Sequence, residues 1–85
     1  MADLAKQFEE AGKKALNLKE RPDNDTMLKL YALYKQGAGG DVTGEKPGFF
    51  DFVGVAKYEA WAKLKGTPQL TAQKQYVDLV KKLAG

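Results

Sequence analysis

Hydrophobic side chains recur every three or four residues in four separate stretches of this sequence, and that spacing constrains the fold more than any other feature. In the first stretch the apolar residues form one narrow stripe: Leu4, Phe8, Ala11, Ala15 and Leu18. Such spacing is typical of an amphipathic α-helix. Strand signals are weak, since the chain has no isoleucine and little alternation of polar with apolar residues. The 85 residues therefore predict a single all-α domain, spanning 1–85.

Capping and helix-breaking residues set the predicted limits of the first two helices. Asp3 precedes the first stripe and is suited to cap it, and Pro22 is predicted to stop it. Three side-chain acceptors at residues 23–25 offer N-caps for a second helix over about 26–36. The glycines that begin at Gly37 are predicted to end that helix.

The second half of the chain predicts a long loop followed by two more helices. Residues 39–48 form the longest loop candidate, because they combine several glycines with a proline. A third helix is predicted over about 53–65, with Gly66 as its stop. Thr67 and Pro68 are the residue types expected at the N-cap and first position of a fourth helix. The sequence thus predicts a four-helix bundle.

Several chemical groups on which enzymes depend are missing from the sequence. It has no cysteine, no histidine and no serine, which excludes thiolates, imidazole bases and serine nucleophiles. No pair of carboxylates has a spacing that predicts acid–base catalysis or a metal site. We therefore expect a protein that is not an enzyme and that needs neither metal nor cofactor. With no long apolar run and no secretory signal, we expect no membrane insertion and a cytoplasmic location.

Two of the predicted helices carry a lysine within an apolar face. On a helical wheel, the apolar and aromatic side chains of the second helix cover roughly 220°, whereas packing on one neighbouring layer needs little more than about 100°. Lys35 lies within that arc, and Lys57 of the third helix lies beside Trp61. Either lysine can extend its ammonium to solvent along an apolar surface, or both can meet an anion beside a concave site. Tyr31 and Tyr34 would let a planar base stack there.

Four short motifs follow one another from the second helix to the third. Residues 30–36 read LYALYKQ, and residues 40–41 read GD. Residues 46–52 read KPGFFDF, and residues 54–61 read GVAKYEAW. These segments resemble, in order and spacing, the LYxxYKQ, GD, RPGxxDF and GxAKWxAW motifs of the acyl-coenzyme A-binding protein family. Each motif alone is weak, but together they are specific, and the resemblance covers nearly the whole chain.

Four positions depart from the pattern of that family, and the first is Gly37, which follows the YKQ of residues 34–36 where alanine is common. Lys46 stands where arginine is usual, and Tyr58 takes the place of a tryptophan. Leu16 occupies a position where many relatives have a basic residue, so the resemblance implies that one phosphate contact is missing there. Lys13 or Lys14 is a candidate to replace that contact.

The resemblance implies an up-down-down-up bundle that binds one medium- or long-chain acyl-CoA thioester without reacting with it, as an intracellular carrier and pool former. Tyr31, Lys35 and Lys57 would hold the adenosine 3′-phosphate, Tyr34 would stack on adenine, and Tyr76 would close the nucleotide side. The residues that would line the groove for the acyl chain are Ala11, Gly12, Met27, Leu28 and Leu30. For Tyr76, packing in the core is an equally strong interpretation.

Two other classes of protein remain open from the sequence. The net charge of +3 and the pI near 9.1 fit a nucleic-acid-binding helical domain, although acids are scattered among the lysines and Arg21 is the only arginine. The wide apolar arc also fits a module that binds another protein. We expect a monomer that binds acyl-CoA and not nucleic acid, and that makes only transient contact with membranes or with enzymes that use acyl-CoA.

Overall fold

Four α-helices account for most of the chain. The computed structural model describes residues 3–84, and within that range it contains helices but no β-strand. The helices are α1 (Leu4–Ala15), α2 (Asn24–Gly39), α3 (Phe52–Ala62) and α4 (Gln69–Ala84). The predicted all-α, four-helix architecture is confirmed.

Aspartate side chains cap the first three helices. The Asp3 carboxylate accepts from the backbone N–H of Ala5 at 3.1 Å, and Asp23 accepts from that of Thr26 at 2.8 Å. Asp51, which the sequence did not single out as a cap, accepts from Gly54 at 2.9 Å. Each carboxylate satisfies an N–H group that has no partner within its helix, which stabilises the helix by about 1 kcal/mol.

Two helix ends differ from the sequence prediction. The prediction that α1 extends to Pro22 is wrong, because the N–H groups of Leu16 and Asn17 turn back to the carbonyls of Lys13 and Lys14 and end the helix at Ala15. Leu18 continues the apolar spacing without being helical. In contrast, α2 continues three residues beyond its predicted end, to Gly39, and Gly40 ends it with a φ of 82°.

The other boundaries shift by a few residues. α3 ends at Ala62, and residues 63–66 form turns that finish at Gly66, whose φ is 90°. α4 begins at Gln69, and the Pro68 carbonyl accepts its first hydrogen bond from Ala72 at 3.0 Å. The predicted start of α4 is therefore displaced by one residue.

Contacts between side chains fix the relative directions of the helices. Tyr34 packs on Tyr76 and Gln73 donates to the Gly37 carbonyl, so α2 and α4 are antiparallel. Phe8 stacks on Tyr34 and also lies against Gly37, whereas Gly12 lies beside Tyr34, so α1 is antiparallel to α2.

The third helix has the opposite relation to α2. Lys57 lies over Tyr31, and Lys35, one turn further along α2, lies over Trp61, one turn further along α3. The two helices are therefore parallel. Taken together, these directions give the predicted up-down-down-up order.

The hydrophobic core is formed by α1, α2 and α4. Its members are Phe8, Ala11, Leu30, Leu33, Ala72, Tyr76, Val77 and Val80. α3 packs against α2 but contributes no buried side chain of its own. The bundle is consequently a three-helix core with a fourth helix on its flank.

A buried glutamine links the end of α2 to the connection between α3 and α4. Gln36 is fully buried, and its Nε2 donates to Asp41 Oδ1 at 2.9 Å and to the Thr67 carbonyl at 2.8 Å. Asp41 Oδ1 also accepts from the N–H of Gly66 at 2.8 Å. Trp61 Nε1 donates to the Gly40 carbonyl at 2.9 Å, which ties α3 to the same region.

This network predicts a loss of stability in acid. The pKa of Asp41 is lowered, first by the hydrogen bond from Gly66 and then by that from Gln36. The carboxylate therefore stabilises the fold above its unfolded pKa, and the contribution is lost as pH falls through the lower, folded pKa. We expect Asp41→Asn to lower the free energy of unfolding at about pH 7 but not at about pH 2, measured by urea denaturation.

The control for this experiment is Asp78→Asn, at an exposed position on α4. An equal effect of Asp41→Asn at both pH values would contradict the prediction.

Candidate functional site

A cavity of about 1000 Å³ lies between α1, α2 and α3. This volume is at the upper end of the range for small-molecule sites. Eight of the ten predicted site residues line it: Gly12, Met27, Leu28, Leu30, Tyr31, Tyr34, Lys57 and Tyr76. α3 forms one wall through residues that sequence reasoning missed, namely Phe52, Val53 and Ala56. The cavity exists because α3 lies on the flank of the core and leaves space beside α1 and α2.

Ala11 is the predicted groove residue that the structure places elsewhere. It is buried in the core, on the side of α1 that faces Val77 and Val80 of α4. Gly12 follows it directly but is rotated by about 100° around the helix and therefore faces the cavity. Ala11 supports the site from behind and does not line it.

The two lysines that interrupt apolar faces both lie along the seam between α2 and α3. Lys57 Nζ is 5.2 Å from the centroid of the Tyr31 ring, and Lys35 Nζ is 5.1 Å from that of Trp61. Both distances fit cation–π contacts. Lys57 lines the cavity, whereas Lys35 lies one turn further along the seam, outside the cavity lining.

Among residues 3–84, neither of these lysines is paired with a carboxylate. The ion pairs found within residues 3–84 are Lys13 with Glu9 at 3.8 Å and Lys46 with Glu59 at 2.7 Å. The Lys35 and Lys57 ammonium groups therefore contact aromatic rings but have no counter-charge within that range. An anion that entered the cavity would meet Lys57 without having to displace an acidic side chain.

Three aromatic rings form the inner part of the cavity. Tyr34 stacks on Phe8 with centroids 5.2 Å apart and packs edge-on against Tyr76 at 5.6 Å. Tyr34 is nonetheless 43% exposed, so part of its surface remains open to a ligand. Tyr76 is only 4% exposed, and burial, followed by the nearby Tyr34, raises the pKa of its phenol. Tyr76 belongs to both the core and the cavity wall, so the two interpretations of its role are compatible.

Basic side chains reach the cavity from α1 and from the connection to α2. Lys13 lines the cavity, whereas Lys14 lies on the face of α1 toward Val77 and Lys81. Of the two candidates to replace the basic residue absent at Leu16, the structure brings only Lys13 to the cavity. Arg21 also lines it, and sequence reasoning missed this residue because it lies between helices, where no periodicity assigns it a face.

The fold and this cavity define a small helical ligand-binding domain, and comparison with known proteins identifies its family. The family model described as Acyl CoA binding protein matches residues 5–80. The chain is 51% identical over 76 residues to Acyl-CoA-binding protein homolog 1 of Caenorhabditis elegans, covering 89% of this chain and 88% of that protein. The crystal structure of Oryza sativa Acyl-CoA-Binding Protein 2 matches with a TM-score of 0.90 at 37% identity, covering 95% of this chain and 90% of that one. The chain belongs to the acyl-CoA-binding protein family.

A longer relative shows that such a domain also occurs as part of an enzyme. The chain is 49% identical to Enoyl-CoA delta isomerase 2 of Rattus norvegicus over 77 residues, which is 91% of this chain but 20% of that protein. The similarity therefore concerns one part of the isomerase.

Phe8 is predicted to be the side chain that holds the aromatic end of the cavity together. Phe8→Ala removes the rings' shared contact and leaves a void, so we expect the free energy of unfolding to fall by about 3 kcal/mol. Chemical denaturation followed by tryptophan fluorescence measures this change.

Phe50→Ala is the matched control, because Phe50 is exposed and lies outside the core. We expect that variant to change stability by less than about 0.5 kcal/mol. Equal effects of the two substitutions would show that Phe8 is not a core residue.

Proposed function

We propose that this protein binds one medium- or long-chain fatty acyl-CoA without covalent change and serves as an intracellular carrier and reservoir of such thioesters. The observation that carries the proposal is a large cavity with mostly apolar walls, in which Lys57 lies over Tyr31 at the seam between α2 and α3. A fatty acyl-CoA has the matching chemistry, since it joins a long hydrocarbon chain to a phosphorylated nucleotide. Membership of the family supports the same ligand.

The nucleotide is assigned to the aromatic part of the cavity. Lys57 and Tyr31 would hold the 3′-phosphate, and Lys35, on the same seam, would add a second positive charge near it. Charge-assisted hydrogen bonds to phosphate are about twice as strong as neutral ones. Tyr34, supported from behind by Phe8, would stack on adenine, and Tyr76 would close this side.

The acyl chain is assigned to the apolar surface formed by Gly12, Met27, Leu28 and Leu30. Burial of each methylene contributes about 0.8 kcal/mol, so a chain of roughly 14 methylenes supplies up to about 11 kcal/mol before ordering costs. Nanomolar affinity requires about 12 kcal/mol net. Acyl burial together with phosphate contacts therefore reaches the range of tight binding.

We further propose that the chain has no catalytic activity of its own, uses no cofactor and acts as a cytoplasmic monomer. Its similarity spans nearly the whole of the C. elegans homolog but only a fifth of the rat isomerase, which supports a binding role. No helix within residues 3–84 combines the length and apolar character needed to cross a membrane. Leu16, Met27, Tyr34, Phe52 and Val53 are exposed and line the cavity, where the ligand would cover them, which supports a monomer.

The first prediction from this proposal concerns chain length. Affinity is expected to rise from octanoyl-CoA to hexadecanoyl-CoA, and free CoA is expected to bind much more weakly than either, because hydrocarbon burial is then lost. Isothermal titration calorimetry across the series measures this dependence. A flat profile would contradict assignment of the acyl chain to the cavity.

A second prediction separates the phosphate contact from the rest of the site. Lys57→Ala and Lys35→Ala are each expected to weaken binding by about tenfold or more, by a similar factor at every chain length, because a charge-assisted hydrogen bond is lost. With acyl-CoA that lacks the 3′-phosphate, the same variants should bind as well as the unmodified protein.

The control is Lys29→Ala, which removes an exposed lysine of α2 that does not line the cavity. Thermal melts of all three variants test whether the fold is retained. A lysine whose loss unfolds the protein, or weakens both ligands equally, would have a structural role instead.

A further inference from the structure

The loop before α3 carries two phenylalanine side chains that contribute nothing to the core. Phe49 is 74% exposed and Phe50 is 82% exposed. Their ring centroids are 4.2 Å apart, so the two rings form one apolar surface, which we call the aromatic tip. Neither ring belongs to the core cluster, and neither lines the cavity. Contiguous apolar surface that is exposed in this way is typical of a place where a partner or a membrane binds.

Local structure does not account for these two side chains. Phe49 and Phe50 are the central residues of a turn, which is closed by a hydrogen bond of 2.9 Å from the N–H of Asp51 to the Gly48 carbonyl. Glycine, proline, asparagine, aspartate and serine are the residues that favour such turns. The turn therefore gives no reason for two large apolar side chains, and it fixes the backbone from which both rings extend into solvent.

The aromatic tip lies beside one wall of the cavity. Phe52 and Val53, at the start of α3, line the cavity and are themselves strongly exposed. Because α3 runs parallel to α2, the tip lies at the end of the bundle where α2 begins. An apolar phase that received the tip would therefore lie next to the part of the cavity that the first turn of α3 forms.

The tip carries little charge that could bind an anionic partner. Lys46 is the one basic side chain within residues 44–53, and it is paired with Glu59 at 2.7 Å. Asp51 accepts a hydrogen bond from the N–H of Gly54 as the cap of α3. Surfaces that recognise anionic lipids carry clusters of lysine and arginine, and the tip has no such cluster. Its attraction for a partner is therefore apolar.

The small area of the tip favours a lipid surface over another protein. An aromatic side chain buries about 150–250 Å², so the two partly exposed rings offer roughly 400 Å² at most. Each partner in a standard protein interface buries about 800 Å². A bilayer needs no complementary shape, and it accepts phenylalanine rings among its headgroups.

We propose that the aromatic tip docks the protein on the surface of a lipid bilayer, with both rings inserted among the headgroups. The inference rests on the proposed function for its purpose, since a fatty acyl-CoA whose acyl chain lies in a membrane would then be close to the cavity. A single 14-carbon chain binds bilayers with an association constant of only about 10⁴ M⁻¹. Two rings bury no more apolar surface than that chain, so the docking is weak and reversible.

The test compares the double variant Phe49→Ser/Phe50→Ser with the unmodified protein in cosedimentation with vesicles of phosphatidylcholine. We expect the association constant of the double variant to be lower by about tenfold or more, because burial of both rings is lost. Phe50→Ala alone is expected to lose about threefold, so the test does not depend on the folding of the double variant. Leu70→Ser is the matched control, because Leu70 is 66% exposed on α4 and lies outside the cavity. α4 is antiparallel to α2, so Leu70 lies at the end of the bundle away from the tip.

A second measurement separates docking from ligand binding. In the absence of vesicles, calorimetry with hexadecanoyl-CoA is expected to give the double variant an affinity within about twofold of the unmodified protein, because neither ring lines the cavity. If the unmodified protein bound vesicles but no thioester, the proposed function would fail and the docking would stand. If it bound the thioester but not vesicles, only the docking would fail.

Three other outcomes overturn the inference. Equal sedimentation of the double variant and the unmodified protein would show that the rings do not enter the bilayer. Binding that requires phosphatidylserine and persists in the double variant would assign the membrane contact to lysines. A dimer in sedimentation velocity that the double variant loses would assign the rings to a second copy of this chain.

Discussion

The contact between α2 and α3 is the constraint on which the cavity depends. α3 buries no side chain in the core, so its position is set by contacts along its length. Two lysine–aromatic pairs, Lys57 with Tyr31 and Lys35 with Trp61, join it to α2 in parallel register. The hydrogen bond from Trp61 to the Gly40 carbonyl fixes its far end. These contacts keep α3 beside the core without filling the space between α3 and α1, and that space is the site.

Polar groups hold the two ends of this flanking helix. Asp51 caps the start of α3, and the ion pair of Lys46 with Glu59 connects the second half of that helix to the loop that precedes it. At the other end, Asp41 accepts hydrogen bonds from both Gln36 and Gly66 and thereby joins three segments of the chain. The long loop, which has little regular structure, is thus positioned by specific hydrogen bonds and not by packing. It returns the chain so that α3 can run parallel to α2.

Sequence reasoning predicted the features that depend on the local spacing of residues. It failed for the features that depend on which helices pack against one another. Helix periodicity predicted the four helices and identified Lys35 and Lys57 as unusual before any contact was known. The same periodicity extended α1 too far, because Leu18 continues the apolar spacing after the turn at Leu16 has ended the helix. The resemblance to the family assigned both Ala11 and Gly12 to the groove, whereas periodicity had placed Ala11 in the apolar stripe of α1, and the structure buries Ala11 in the core and turns Gly12 to the cavity. The wall formed by Phe52 and Val53 was missed because only the position of α3 decides which of its residues line the cavity.

The lack of buried side chains in α3 has a consequence for the motions of the empty protein. A helix that anchors nothing in the core can open without unfolding the other three, because local opening requires only the free energy of its own contacts. We therefore expect backbone amides of α3 to exchange with deuterium sooner than those of α2 or α4, which carry the core residues Leu33 and Val80. A ligand that contacts both α1 and α3 would connect α3 to the other three helices. Binding of that ligand is therefore expected to slow amide exchange in α3 above all.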